Sequence, residues 1–208
     1  NGGVLIEEAT TSLIASTGVD AFFSSTTGWT SPSAAVASVS IEQNNESLYG
    51  GSVLCYTDVD GNVTTNTWDG INSGTIYGLT PGVAYTMTIR YKVEGWTQGS
   101  VAVWSHWQDS TATILNSSSD YGLPSSTFNK GWSVYSVTQT VPAGYDGKFF
   151  RPGMDLTNLG CKLYVDAIQF EAKAFSTSFV NGTRSRSKLQ YPVSIINPTQ
   201  YTISCWVN

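Results

Sequence analysis

Tyr85-Thr86-Met87-Thr88-Ile89-Arg90-Tyr91-Lys92-Val93 decides how the rest of the chain is read. Its odd positions are apolar or aromatic and its even positions polar or charged. Successive side chains of a β-strand point to opposite faces. The run therefore lays one face on a core and turns the other toward solvent or a ligand. Leu79-Thr80-Pro81-Gly82 stands just before it, a turn signal in which Pro fixes φ and Gly accepts a positive φ.

Further strands follow outward from this one. Val101-Ala102-Val103-Trp104-Ser105-His106-Trp107 alternates in the same way: with Val101 and Val103 on the core side, Trp104 and His106 face away from it. Trp132 to Val141, closed by Pro142, reads as a strand, and so does Cys161 to Phe170. Val53 to Tyr56 and Val63 to Thr67 flank Asp58-Val59-Asp60-Gly61-Asn62, whose Asp-Gly pair suits a tight hairpin. Helical periodicity is hard to find. Short strands separated by Gly, Pro, Asn and Asp turns predict an all-β fold, a jelly-roll β-sandwich of two antiparallel sheets.

Composition agrees. Of 208 residues only 12% are charged, while 40% are hydrophobic and 12% aromatic. Disordered chains lack that apolar and aromatic content. Ser, Thr, Gly and Asn fill the polar positions, as in β-rich extracellular or virion domains. The net charge is −5 and the only basic run is Arg184-Ser185-Arg186-Ser187-Lys188, so no nucleic-acid partner is expected. No apolar stretch has the roughly 18 residues of a membrane helix, and no membrane insertion is expected. Cys55, Cys161 and Cys205 are odd in number, far apart and each within a strand-like run; they read as small buried apolar residues. Residue 1 is Asn and the chain stops within a strand-like run, so a piece of a longer protein is expected.

Little in the sequence points to catalysis. The lone histidine, His106, has aromatic neighbours, and no G-x-S-x-G motif accompanies it. Cys and His show no zinc spacing. The Asp58–Asn62 loop has its Gly at position 4, whereas an EF-hand loop needs it at position 6. The aromatic residues carry the functional lead. Sugars present C–H faces and hydroxyls, which suit flat Trp and Tyr platforms flanked by hydrogen-bonding side chains. The candidate ligand-binding residues are Trp104 and His106, opposite the Val face; Arg90, on the polar face of the preceding strand; and Trp68, Trp96 and Trp107, near turns.

Several stretches resemble a known family. Leu79-Thr80-Pro81-Gly82 with Tyr85-Thr86-Met87-Thr88 is similar to a stretch of the carbohydrate-binding modules of families 4 and 9. Trp132, Tyr135-Ser136-Val137 and Val141-Pro142 resemble a strand of those modules, Tyr164 to Glu171 their terminal strand, and Thr177 to Arg184 the tail that follows it. The resemblance implies a non-catalytic glycan-binding jelly roll over residues 14–175, with Trp29 and Trp132 in packing. It implies a structural calcium ion held by the terminal-strand Asp, here Asp166, together with a Glu near Gly28-Trp29. Phe22-Phe23-Ser24-Ser25 stands where that Glu is expected, leaving Asp166 as the candidate metal ligand.

Gly3 to Leu13 resembles a lead-in common in phage tail proteins, which makes residues 1–13 a lead-in segment. Residues 176–188, small and polar, read as a linker. Tyr191 to Val207 resembles the opening of a laminin-G or concanavalin-like lectin domain, truncated over 189–208. The implied setting is a phage tail or other virion protein, part of a homo-oligomer, that attaches to bacterial surface polysaccharide and contacts other virion subunits. Two alternatives have the module as a spacer or decoration domain making only protein contacts, or as an accessory module of a secreted glycoside hydrolase.

Overall fold

The computed structural model describes residues 9–14, 22, 29, 37–48, 51–58, 69–70, 72–111, 113, 121–154, 160–180 and 183–185. The strands are β1 (Thr10–Thr11), β2 (Ala37–Gln43), β3 (Ser52–Asp58), β4 (Asp69–Gly70), β5 (Thr75–Ile76), β6 (Ala84–Glu94), β7 (Val101–Gln108), β8 (Tyr121–Gly122), β9 (Ser133–Thr140), β10 (Gly147–Met154), β11 (Lys162–Glu171) and β12 (Thr183–Arg184). One sheet has the order β2-β3-β11-β6-β9. The other has the order β4-β10-β7-β8, with β5 also on β10. Every pairing is antiparallel. The fold is an all-β jelly-roll sandwich, as the strand pattern predicts. Residues 59–62 of the expected hairpin, residues 63–67 and the stretch from 189 to 208 lie outside the described residues, as does Cys205.

β6 shows why this sequence folds so. Tyr85, Met87, Ile89, Tyr91 and Val93 all enter the core, none more than 5% exposed. They meet Leu54 and Tyr56 of β3, Leu163, Val165, Ile168 and Phe170 of β11, and Val101, Val103, Trp107, Phe150 and Met154 from the opposite sheet. Phe150 and Phe170 join the two sheets edge to face, with centroids 4.8 Å apart. Ahead of β6, Val83 N donates to Thr80 O at 3.1 Å across the Pro81-Gly82 turn, and Gly82 has φ +80°. Cys55 and Cys161 are buried and not in a disulfide, in keeping with their reading as small apolar residues.

The terminal segments belong to the same body. β1 pairs with β12, and Leu13 N donates to Phe170 O at 2.7 Å. The anchor between them is Glu171, which is fully buried. Its Oε2 accepts from the hydroxyls of Thr10 (2.5 Å) and Thr177 (2.8 Å), and its Oε1 accepts from Thr177 N and Gln169 Nε2, both at 2.9 Å. Thus parts of the expected lead-in and linker are structural. Their polar side chains are held by a carboxylate within the module, which composition alone does not show.

β10 went unrecognised in the sequence because Pro152-Gly153 reads as a turn. Phe150 exchanges hydrogen bonds with Ser73 along the β5–β4 edge, and Pro152, two residues on, has its nitrogen toward that same edge. There the ladder passes from β5, paired at Lys148 and Phe149, to β4, paired at Gly153 and Met154. A residue without an N–H fits that gap. Gly70 packs against it so closely that a Cβ would lie 2.5 Å from Pro152 O.

Candidate functional site

The outward face of the β4-β10-β7-β8 sheet carries the site. β7 sends Val101, Val103 and Trp107 inward, so Trp104, His106 and Gln108 point outward. β10 lies in register beside it, with Phe149 opposite His106 and Arg151 opposite Trp104. The four side chains form one stack. Trp104 meets His106 edge to face with centroids 3.8 Å apart, Phe149 lies 5.7 Å from Trp104 and 5.3 Å from His106, and the Arg151 guanidinium carbon sits 4.6 Å from the Trp104 ring. A guanidinium over an indole is held by the ring quadrupole. Arg151 Nε also donates to Asn72 Oδ1 at 2.6 Å, which fixes the arginine against the ring.

Polar groups border the stack on one side. Gln108 Oε1 accepts from Thr75 Oγ1 at 2.8 Å and Tyr77 OH at 3.5 Å, so its Nε2 is the end of the carboxamide left to donate to a ligand. Asn72, Gly74, Thr75, Gln108 and Phe149 line a cleft of about 250 Å³. Tyr77 stands beside it, half exposed. Phe149, beside carboxamide and hydroxyl walls, offers an aromatic ring against which a sugar can lay its C–H face while its hydroxyls are bonded.

The sequence-predicted residues divide. Trp104 and His106 are here, Trp104 partly exposed and His106 at 9%. Trp107 is not: it is 4% exposed and faces the core, where the Lys148 ammonium lies 3.7 Å over its ring. The alternation that turns Trp104 outward turns Trp107 inward. Trp96 packs edge to face on Phe128 at 5.2 Å and donates Nε1 to Gly99 O at 3.0 Å, which places it in the loop packing after β6. Trp68 lies outside the described residues.

Arg90 belongs to the other sheet. Sequence neighbours β6 and β7 are not paired, so the polar face of one is not the polar face of the other. Arg90 is 7% exposed, pairs with Asp166, donates Nη2 to Glu46 O at 3.2 Å and stacks over Trp132 at 4.3 Å. Trp132 donates Nε1 to Glu46 Oε2 at 2.8 Å, which, with the Lys92 ion pair, holds the Glu46 carboxyl below its ordinary pKa. Around Arg90 and Asp166 the outer face of this sheet is thus covered by the chain's own 44–48 loop.

Asp166 is the extra residue of a β-bulge, where the β11–β6 register shifts between Val165 and Ala167. Besides Arg90, its oxygens accept from Ser47 Oγ and from Leu48 N at 3.0 Å. Arg90 places a cation where a calcium ion would need to approach, and the two repel. Among the described residues no group of three His, Cys, Asp or Glu side chains stands where a metal could be held. Asp166 therefore does not fit the calcium role that the family resemblance implies.

The residues missed in the sequence are Phe149, Arg151, Asn72, Thr75 and Gln108. Phe149 and Arg151 lie on the outward face of β10 and Lys148 and Phe150 on its inward face, so each face carries one Phe and one basic residue and the sequence shows no apolar–polar alternation there.

Neither a protein-family model nor a curated protein sequence matches the chain. Solved structures do. The enzymatically active domain of bacteriophage CBA120 tailspike protein 4 superposes with a TM-score of 0.56 at 13% identity, over 74% of this chain and 20% of that one. The C-terminal family 22 carbohydrate-binding module of a Clostridium thermocellum xylanase gives 0.50 at 15% identity, over 76% of this chain and 94% of that module. A tandem of family 22 modules from a Paenibacillus barcinonensis xylanase gives 0.51 at 10% identity, over 86% and 48%. The chain spans about a fifth of the tailspike structure. At these identities the likeness is one of fold: the chain has the jelly roll of carbohydrate-binding modules. The carbohydrate-binding modules named here are of family 22.

Proposed function

We propose that the chain is a non-catalytic glycan-binding module, with the outward Trp104–His106–Phe149–Arg151 face as its binding surface. The observation that carries this reading is the juxtaposition of three clustered aromatic rings and a cleft walled by Asn72, Thr75 and Gln108 on one sheet face. The jelly-roll fold shared with family 22 carbohydrate-binding modules supports it. The likeness of residues 3–13 to phage tail lead-ins, together with the tailspike superposition, favours a virion protein that attaches to bacterial surface polysaccharide. The xylanase modules favour, as a second reading, an accessory module of a secreted polysaccharide-degrading enzyme. Both place the chain outside the cell or on a surface.

Binding to an array of bacterial and plant polysaccharides tests the proposal. At least one glycan is expected to bind, and Trp104→Ala to weaken it about tenfold or more, or ~1.4 kcal/mol, as the platform is lost. Failure of every glycan to bind, or a Trp104→Ala protein binding as well as the parent, overturns it.

A further inference from the structure

The binding face leaves one edge of the molecule unexplained. Among the described residues, β9 is the outermost strand of the β2-β3-β11-β6-β9 sheet and is paired only to β6. An unpaired strand edge offers its backbone groups to another strand, and soluble proteins guard such edges with short strands, charges, prolines or bulges. Among the described residues the other outer strands differ: β4, β5 and β8 have two residues each there, and β2 carries Glu42. β9 has no guard. It runs for eight residues, Ser133-Val134-Tyr135-Ser136-Val137-Thr138-Gln139-Thr140, without a charge, a proline or a register shift. Val134, Ser136, Thr138 and Thr140 are exposed, Val134 to 60%, and the core-facing residues between them are only partly covered.

We propose that β9 is the seam of a symmetric dimer, in which two copies of this chain pair β9 to β9 antiparallel and continue the sheet across a twofold axis. The strand suits its own copy. Without charged residues, two antiparallel copies meet with no like-charge repulsion, and Ser, Thr and Val are favourable cross-strand neighbours. In a register centred on Ser136, Val134 of one copy lies opposite Thr138 of the other. The Thr138 hydroxyl donates to Ala174 O at 3.4 Å, so the adjoining Phe175, itself 54% exposed, comes beside that Val134. Val134 and Phe175, two of the large apolar side chains exposed on this outer face beside Leu48, thereby cover one another. The binding face lies on the other sheet, so pairing leaves it open and gives two glycan sites per particle.

Sedimentation of the 208-residue chain from about 1 to 200 μM tests this. A seam of one strand is smaller than a standard interface, so a dissociation constant of roughly tens of micromolar is expected. Ser136→Lys gives up the 3.1 Å hydrogen bond that Ser136 Oγ donates to Thr88 Oγ1, and it sets two ammonium groups opposite each other at the axis, which should weaken the dimer at least about tenfold. Val134→Glu, at another exposed position, should do the same, and Ser40→Lys on the far edge should have no effect. A monomer throughout the range, or a dimer that both β9 variants leave intact, overturns the proposal.

Discussion

Lys148 lies on the inward side of β10, 1% exposed, with its ammonium 3.7 Å over the Trp107 ring and donating to Gln139 Oε1 at 2.8 Å. Burial disfavours the charged form and pushes its pKa down to about 7. Below pH 7 the lysine is charged in the folded and the unfolded chain alike, and the fold carries the full cost of burying the ammonium. Above pH 7 the folded chain releases the proton while the unfolded chain, titrating near 10.5, keeps it, so stability rises with pH. Buried Cys55 acts in the opposite sense. Burial pushes its thiol up to about 11, so from about pH 9 the unfolded chain loses that proton first and stability falls. The clean window is therefore pH 7 to 8.5, where thermal melts should show a gain of roughly 1–2 kcal/mol. Lys148→Met should flatten that rise, and an unchanged slope would show that Lys148 is not its source.

At the scale of elements, the long strands were legible because each turns one face to the core, apolar along most of its length. β6, β7, β9 and β11 follow their alternation to within a residue or two of the expected bounds. β10 was not legible, since Pro152 is admitted by a gap between β5 and β4 that is a property of the neighbours. The same limit explains the candidate site. Alternation gives the face on which Trp104 and His106 stand, but not which strand lies beside them. The neighbour is β10, bringing Phe149 and Arg151, while β6 and Arg90 are across the sandwich. β1 and β12 were hidden for a related reason: two residues each are too short to show a period, and they are held by the Glu171 carboxylate. Glu171→Gln replaces one acceptor oxygen by an amide that faces donors, and should destabilise the module by about 1–3 kcal/mol. Hydrogen exchange should quicken at Thr10, Thr11 and Thr183 before it does at β6; equal protection at β1 and β12 in the variant would refute the clasp.

For the whole molecule, the two outer faces differ in what covers them. One sheet is overlaid by the 44–48 loop and the 173–180 tail, whose contacts with Arg90, Asp166, Thr86 and Gln169 bury a face that alternation alone marks as polar and open. The other presents Trp104, Phe149 and Arg151 beside an open cleft. Glycan recognition on that second face is the central claim. Amide chemical-shift mapping of the isotope-labelled chain, titrated with the polysaccharide fragment that binds best on the array, tests it most directly. Shifts confined to residues 72–76, 104–108 and 147–151, with 86–94, 132–140 and 164–169 unmoved, are the predicted result. A fragment that shifts the Arg90–Trp132 face and leaves β7 and β10 unmoved would contradict it.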